Sequence, residues 1–240
     1  MTVPFVLSSA LISAALIYAA VGAHAWLRYG HVPSTDAIGA DPLLDRFMPV
    51  YDVVERHRIR VRARPEITLL TAYGLNLQDS RIVRGLFQLR AWLLGALPQR
   101  EPARVGLISQ MTALGWVVLA EVPDNEIVMG AVTQPWQAHP VFRAIAPGEF
   151  ASFSDPAFVK IAWTLRAARS GAAASVFLTE TRALATDVSA RRHFRWYWAR
   201  FSIGVRLIRW LMLWPVKSAA ERRARQVARA LAAARPGQAP

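Results

Sequence analysis

Glu55 and His57 are the polar pair best placed for chemistry. They sit in Asp52–Arg64, DVVERHRIRVRAR, where apolar and charged residues alternate. The alternation predicts a strand with Val53, Glu55, His57, Ile59 and Val61 on one face. Arg56, Arg58, Arg60, Arg62 and Arg64 fall on the other face, an arginine-covered outside. Two side chains sharing a strand face stand roughly 6–7 Å apart. Burial raises a carboxyl pKa and a carboxylate supports an imidazolium, so a buried pair of this kind can act as general base and acid. The same groups also suit polar contacts to a ligand, a structural pair in which Arg182 neutralises Glu55, or a solvent-facing strand end. On the pair alone no catalytic residue is assigned, and enzymatic activity is left open with binding preferred.

Glu180 and Arg182 share a face with Val176, Leu178 and Leu184. Pointing inward, they make a buried ion pair or a guanidinium fork for a ligand carboxylate. If Phe177, Thr179, Thr181 and Ala183 point inward instead, the two are surface charges, the reading taken here, with Arg182 kept as a candidate ligand contact. Trp163, flanked by Val159, Ile161 and Leu165, reads as core or cavity wall, and Trp116 and Trp136 suit an apolar pocket. Trp196, Trp198, Trp210 and Trp214 cannot all occupy one helix face. Outward indoles interleaved with Arg206, Arg209 and Lys217 suit a membrane interface. Trp198 falls on the apolar stripe and joins Glu55, His57, Trp116, Trp163 and Arg182 as a candidate ligand-binding residue.

Other chemistries find no support. The chain has no cysteine, which excludes disulfides and thiolate catalysis. The histidines, at 24, 31, 57, 139 and 193, show no HExxH or paired spacing, so no metal site is expected. GxSxG, P-loop and GxGxxG motifs are absent, and no cofactor is expected. The net charge is +13, concentrated in residues 187–240, where twelve Lys or Arg face two acids. Such a patch faces nucleic acid, anionic lipid or water. Recognition-helix patterns, RNP-like strands and zinc spacings are missing, so nucleic acid is not expected. Arginine and alanine richness also reflects composition.

These residues must be held by a small set of elements. Asp187 to about Arg225 reads as one long helix, with Phe194, Trp198, Phe201, Val205, Ile208 and Leu211 on one face. Pro65–Asn76 and Ser80–Leu94 read as helices, the second striped by Ile82, Leu86, Leu89 and Leu93. Trp116–Val122 and Glu126–Thr133 flank a Pro123-Asp124-Asn125 turn. Phe142–Ala144 is a short strand candidate, and Phe158–Ala167 pairs with Ser175–Thr186 around Gly171. Residues 2–27 carry no Asp, Glu, Lys or Arg. As a helix they extend roughly 39 Å, enough to cross a bilayer core of about 30 Å. A transmembrane anchor over 1–28 is expected. Ala23-His24-Ala25 keeps cleavage of a signal peptide open, and a buried core helix is the third reading. Positive charge lies only after the span, which places the following domain in the cytoplasm of a single-pass protein. Residues 29–49 read as a linker, 50–225 as the domain, and 226–240 as a basic tail.

The order is strand, helices, antiparallel meander, long helix. With the first strand VVERHRIRVRARPE and the closing pattern SVFLTETRALATDVSARRHFRWYW…IRWLML, residues Tyr51–Ala224 resemble the START, polyketide-cyclase and pollen-allergen (SRPBCC) superfamily. The resemblance implies an α+β helix-grip fold, a curved antiparallel sheet around the long C-terminal helix, with the first strand paired to the last. It also implies a cavity for a hydrophobic small molecule or lipid, and activity as a binding protein more often than as a cyclase- or hydrolase-type enzyme. A non-binding scaffold whose cavity is filled by its own tryptophans is the remaining alternative.

Overall fold

The computed structural model describes residues 3–31, 40–76, 80–95 and 106–234. The architecture is α+β. Strands β1 Val53–Val61, β2 Val117–Val122, β3 Glu126–Thr133, β4 Val159–Arg169 and β5 Ser175–Ala185 form one antiparallel sheet. Their order is β1-β5-β4-β3-β2. Local chemistry explains the connections. Asp124 adopts φ 60 in the β2–β3 turn, a conformation Asp tolerates better than most residues. The first and last strands are neighbours, with Glu55 opposite Thr181 and His57 opposite Thr179. Phe142–Ala144 supplies only an isolated bridge from Arg143 to Val132.

Helix α1 is Val3–Arg28, α2 Pro42–Asp45, α3 Pro65–Tyr73, α4 Arg81–Leu93, α5 Leu107–Ala113, α6 Pro147–Phe150 and α7 Val188–Ala233. Pro65 ends the β1 run and opens α3, where its fixed φ suits a first turn. Asp187 caps α7 by accepting from Ala190 N at 2.6 Å. The helix runs past Arg225 to Ala233, and residues 235–240 lie outside the described ones.

Helix α7 covers one sheet face in two apolar blocks. Val53, Val159 and Ala183 meet Phe194 and Trp198 at its N-terminal end. Met129, Trp163, Leu165 and Phe177 meet Met212, Leu213 and Val216 further along. The opposite sheet face is covered too, which the strand pattern does not anticipate. Leu44, Phe47 and Met48 pack with Phe150 onto Val128, Val132 and Ala162. Part of the expected linker is therefore structural. Residues 32–39 of it lie outside the described ones, but Asp41 caps α2 by accepting from Leu44 N at 2.8 Å, and Leu44 and Met48 are buried. The Pro, Gly and Asp residues around this short apolar cluster hide it from a periodicity reading.

The transmembrane span expected near the N-terminus is not borne out: among the described residues no helix is long and apolar enough to cross a membrane. The C-terminal part of α1 is instead committed to α7, antiparallel to it. Tyr18 Oη donates to Arg200 O at 2.7 Å, and Arg195 donates through Nε and Nη2 to Trp26 O at 3.1 and 2.9 Å. The Trp26 and Trp196 rings lie 4.6 Å apart, and Ala25 and Tyr29 are buried. Residues 12–20 are all exposed, unlike a core helix. Helix α4 touches the other flank of α7, with Arg90 Nε donating to Tyr197 Oη at 3.1 Å. Its Ile82, Leu89 and Leu93 face outward; Val83 is the side chain it buries.

Candidate functional site

Between the two apolar blocks under α7 runs a polar belt. From β1 it takes Glu55 and His57; from β5, Thr179 and Thr181; from α7, Ser202, Arg206 and Arg209. Strand parity puts the first four on the α7 side of the sheet, as the alternation in β1 predicts. Helical spacing brings in the others, since positions 202, 206 and 209 lie within one flank of α7. Arg206 Nε donates to Glu55 Oε1 at 2.6 Å. Arg209 lies over the Trp163 ring, 5.6 Å from its centroid, and reaches Thr179 Oγ1 at 3.4 Å. Arg206 and Arg209 thus turn towards the sheet, not outward among the indoles.

The belt is only partly satisfied. His57 Nε2, Thr181 Oγ1 and Ser202 Oγ are enclosed without a hydrogen-bond partner among the described residues. Buried polar atoms normally find one, so unmet capacity gathered beside a cation is a feature to explain. Burial pushes the Glu55 carboxyl above its usual range, with Arg206 and Arg209 pulling it back. Burial, then the Arg209 and Arg206 charges, push the His57 imidazole down, which favours its neutral form. Arg209 keeps part of its surface open, yet burial lowers its guanidinium to about 10, offset by Glu55. The carboxylate of Glu55 is in direct contact with Arg206, which leaves Arg209 with a hydroxyl and an aromatic face.

The other predicted residues are dispersed. Trp163 borders the belt. Trp198 lies in the apolar block with Phe194, and Trp116 packs on Trp163 and Phe142 with ring centroids 6.1 and 5.2 Å away. Trp136 stacks on His193 at 5.3 Å. Arg182 is on the far side of the sheet, and the surface reading of Glu180 and Arg182 is corrected. Their side chains are 6% and 3% exposed. Arg182 donates to Glu180 Oε1 at 2.6 Å, Asp45 Oδ1 at 2.5 Å and Met48 O at 2.7 Å, and stacks over Tyr51. Arg56 binds Glu180 Oε2 at 2.8 Å and Tyr51 Oη at 2.8 Å. The cluster clamps the 41–51 segment to the sheet. Arg56 is consequently half-buried, and the outside of β1 is not a bare arginine face.

Further along that face, Glu126 accepts from Thr164 Oγ1 at 2.7 Å. Burial and a hydrogen bond shared with Asp41 raise its carboxyl to about 8. A recess of about 150 Å³ opens nearby between Asp41, Arg56, Arg58 and Arg166. A second, about 400 Å³, lies where α3 and the β2–β3 turn approach Arg223. The first also has His57 and Thr179 in its lining, although its other residues belong to the face away from α7; the second shares no residue with the belt. No metal-type cluster of His, Asp or Glu occurs among the described residues.

Arg206, Arg209, Thr179, Thr181 and Ser202 escape a motif search. For the three on α7 the available signal is the polar flank at 202, 206 and 209 beside the apolar stripe; for Thr179 and Thr181 it is their shared face with Phe177 and Ala183 in β5. Compared with known proteins, the chain matches no family model and has no match among curated proteins.

Proposed function

We propose that the protein is a binding module of helix-grip type that holds an apolar molecule carrying one acidic group, with that group at the polar belt. The unmet hydrogen-bonding atoms of His57, Thr181 and Ser202 beside Arg209 carry this reading. A guanidinium with no directly paired carboxylate suits a carboxylate headgroup, and neutral His57 with two hydroxyls supplies further donors. Trp163 and Trp198, on either side, suit an apolar body. Membership of the SRPBCC superfamily is part of the proposal. So is attachment to a bilayer through the apolar N-terminal helix, with the module on the cytoplasmic side. The Glu55–Arg206 pair favours binding over catalysis, because the carboxylate that a general base requires is already engaged.

The test is native mass spectrometry from mild detergent with extraction of bound lipid, then thermal shifts with medium-chain fatty acids and their methyl esters. Acids should raise the melting temperature and esters should not. Arg209→Met should abolish the acid effect, while Glu55→Gln should retain binding. Equal shifts from acids and esters, or none, would reject the site and favour a scaffold filled by its own side chains.

A further inference from the structure

We propose that α4 and the outer stripe of α7 form an interfacial docking face for an anionic bilayer, a face that lies on the membrane without crossing it. The inference is independent of the ligand reading. Helix α7 is apolar on two sides. Its inner side covers the sheet; at roughly 100° per residue, Trp196, Ile203, Leu207, Trp210 and Trp214 fall in a single stripe on the reverse side. All of them are exposed, Trp196 on the side of its ring that Trp26 of α1 leaves open. A soluble helix places polar residues there.

The neighbour α4 repeats the pattern. Ile82, Leu89, Trp92 and Leu93 are exposed, Trp92 by 74%. These exposed residues belong to a helix pinned to α7 through Arg90, so the two apolar surfaces are held in fixed relation. Apolar exposure on this scale marks an interaction surface.

The chemistry of the rim identifies the partner. Arg28, Arg81, Arg192 and Arg200 are exposed, and Arg200 lies over the Trp196 ring at 5.6 Å. Indoles and aliphatic side chains bordered by arginines are the composition of a helix seated at the headgroup boundary. The net charge of +13 complements anionic lipid. A protein partner needs no such excess of one sign.

The absence of cysteine permits a direct test on the full chain. Nitroxide labels are placed singly at Leu89→Cys and Leu207→Cys, with Gln88→Cys on the polar side of α4 as the control. Each protein is mixed with phosphatidylcholine vesicles, with and without phosphatidylglycerol. In anionic vesicles, labels 89 and 207 should gain collisions with oxygen and lose collisions with a nickel chelate several-fold relative to label 88. High salt should weaken the effect through screening. Water-accessible labels at 89 and 207 on protein that floats with the vesicles would overturn the proposal. So would dipolar broadening between 207 labels, which would assign the face to a second copy of the chain.

Discussion

Glu126 shows how one buried carboxyl sets a pH dependence. In the folded chain it holds its proton up to about pH 8, against 4.5 as its ordinary value, because burial and Asp41 disfavour the anion. The folded state therefore binds the proton more tightly than the unfolded chain. Stability from this site is complete below about 4.5 and is lost as pH rises to about 8. Glu126→Gln should remove most of that slope, with a relative gain on the order of 1–3 kcal/mol at pH 8.5, measured by denaturant titration at several pH values. Arg166 and Thr164 face the same carboxyl and limit the shift. Residue-level chemistry was legible where one strand face was apolar. The odd residues of β1 point towards α7 as their alternation requires. In β5 the same logic was undecidable, since both faces carry apolar side chains and both are covered. The segment that buries Glu180 and Arg182, around Asp45 and Met48, is distant in sequence, so their own strand gives no sign of it.

At the scale of elements, α7 organises the rest; its start and cap are readable from Asp187 onward, while its end lies beyond the expected Arg225, at Ala233. Which of its tryptophans faced inward was partly readable. The stripe containing Trp198 identified the core side, but the exclusion of Trp196, Trp210 and Trp214 required the sheet's position. The stripe of α4 is visible in its spacing, but its outward orientation is not. Periodicity reports that a face is apolar, not what covers it. The α1–α7 contact depends on a small residue. A Cβ added at Gly22 would stand 3.0 Å from Ala199 O, a backbone atom that cannot move alone. Gly22→Leu should lift α1 from α7 at a cost of about 1–3 kcal/mol. Hydrogen exchange should then rise in residues 18–28 while the sheet stays protected; unchanged protection there would disprove the contact's importance.

For the whole molecule, Asp52 is the meeting point of the layers. Its carboxylate accepts from Tyr29 Oη at 3.1 Å, from Ala185 N at 2.9 Å and from Arg191 at 2.8 Å, joining the end of α1, the end of β5 and the start of α7. Every one of those partnerships but the first awaits the C-terminal part of the chain. The pairing of β1 with β5 has the same consequence for biosynthesis. A ribosome adding about 5–20 residues per second reaches Ala185 roughly 6–25 s after Val61. Nascent chains arrested before β5 should be protease-sensitive throughout 53–133, and resistance should appear once α7 has emerged, as pulse proteolysis of stalled complexes can show. During that interval the helix at the N-terminus has no folded domain to rest on. Its contacts with Arg195 and Arg200 are therefore among the last the chain can make.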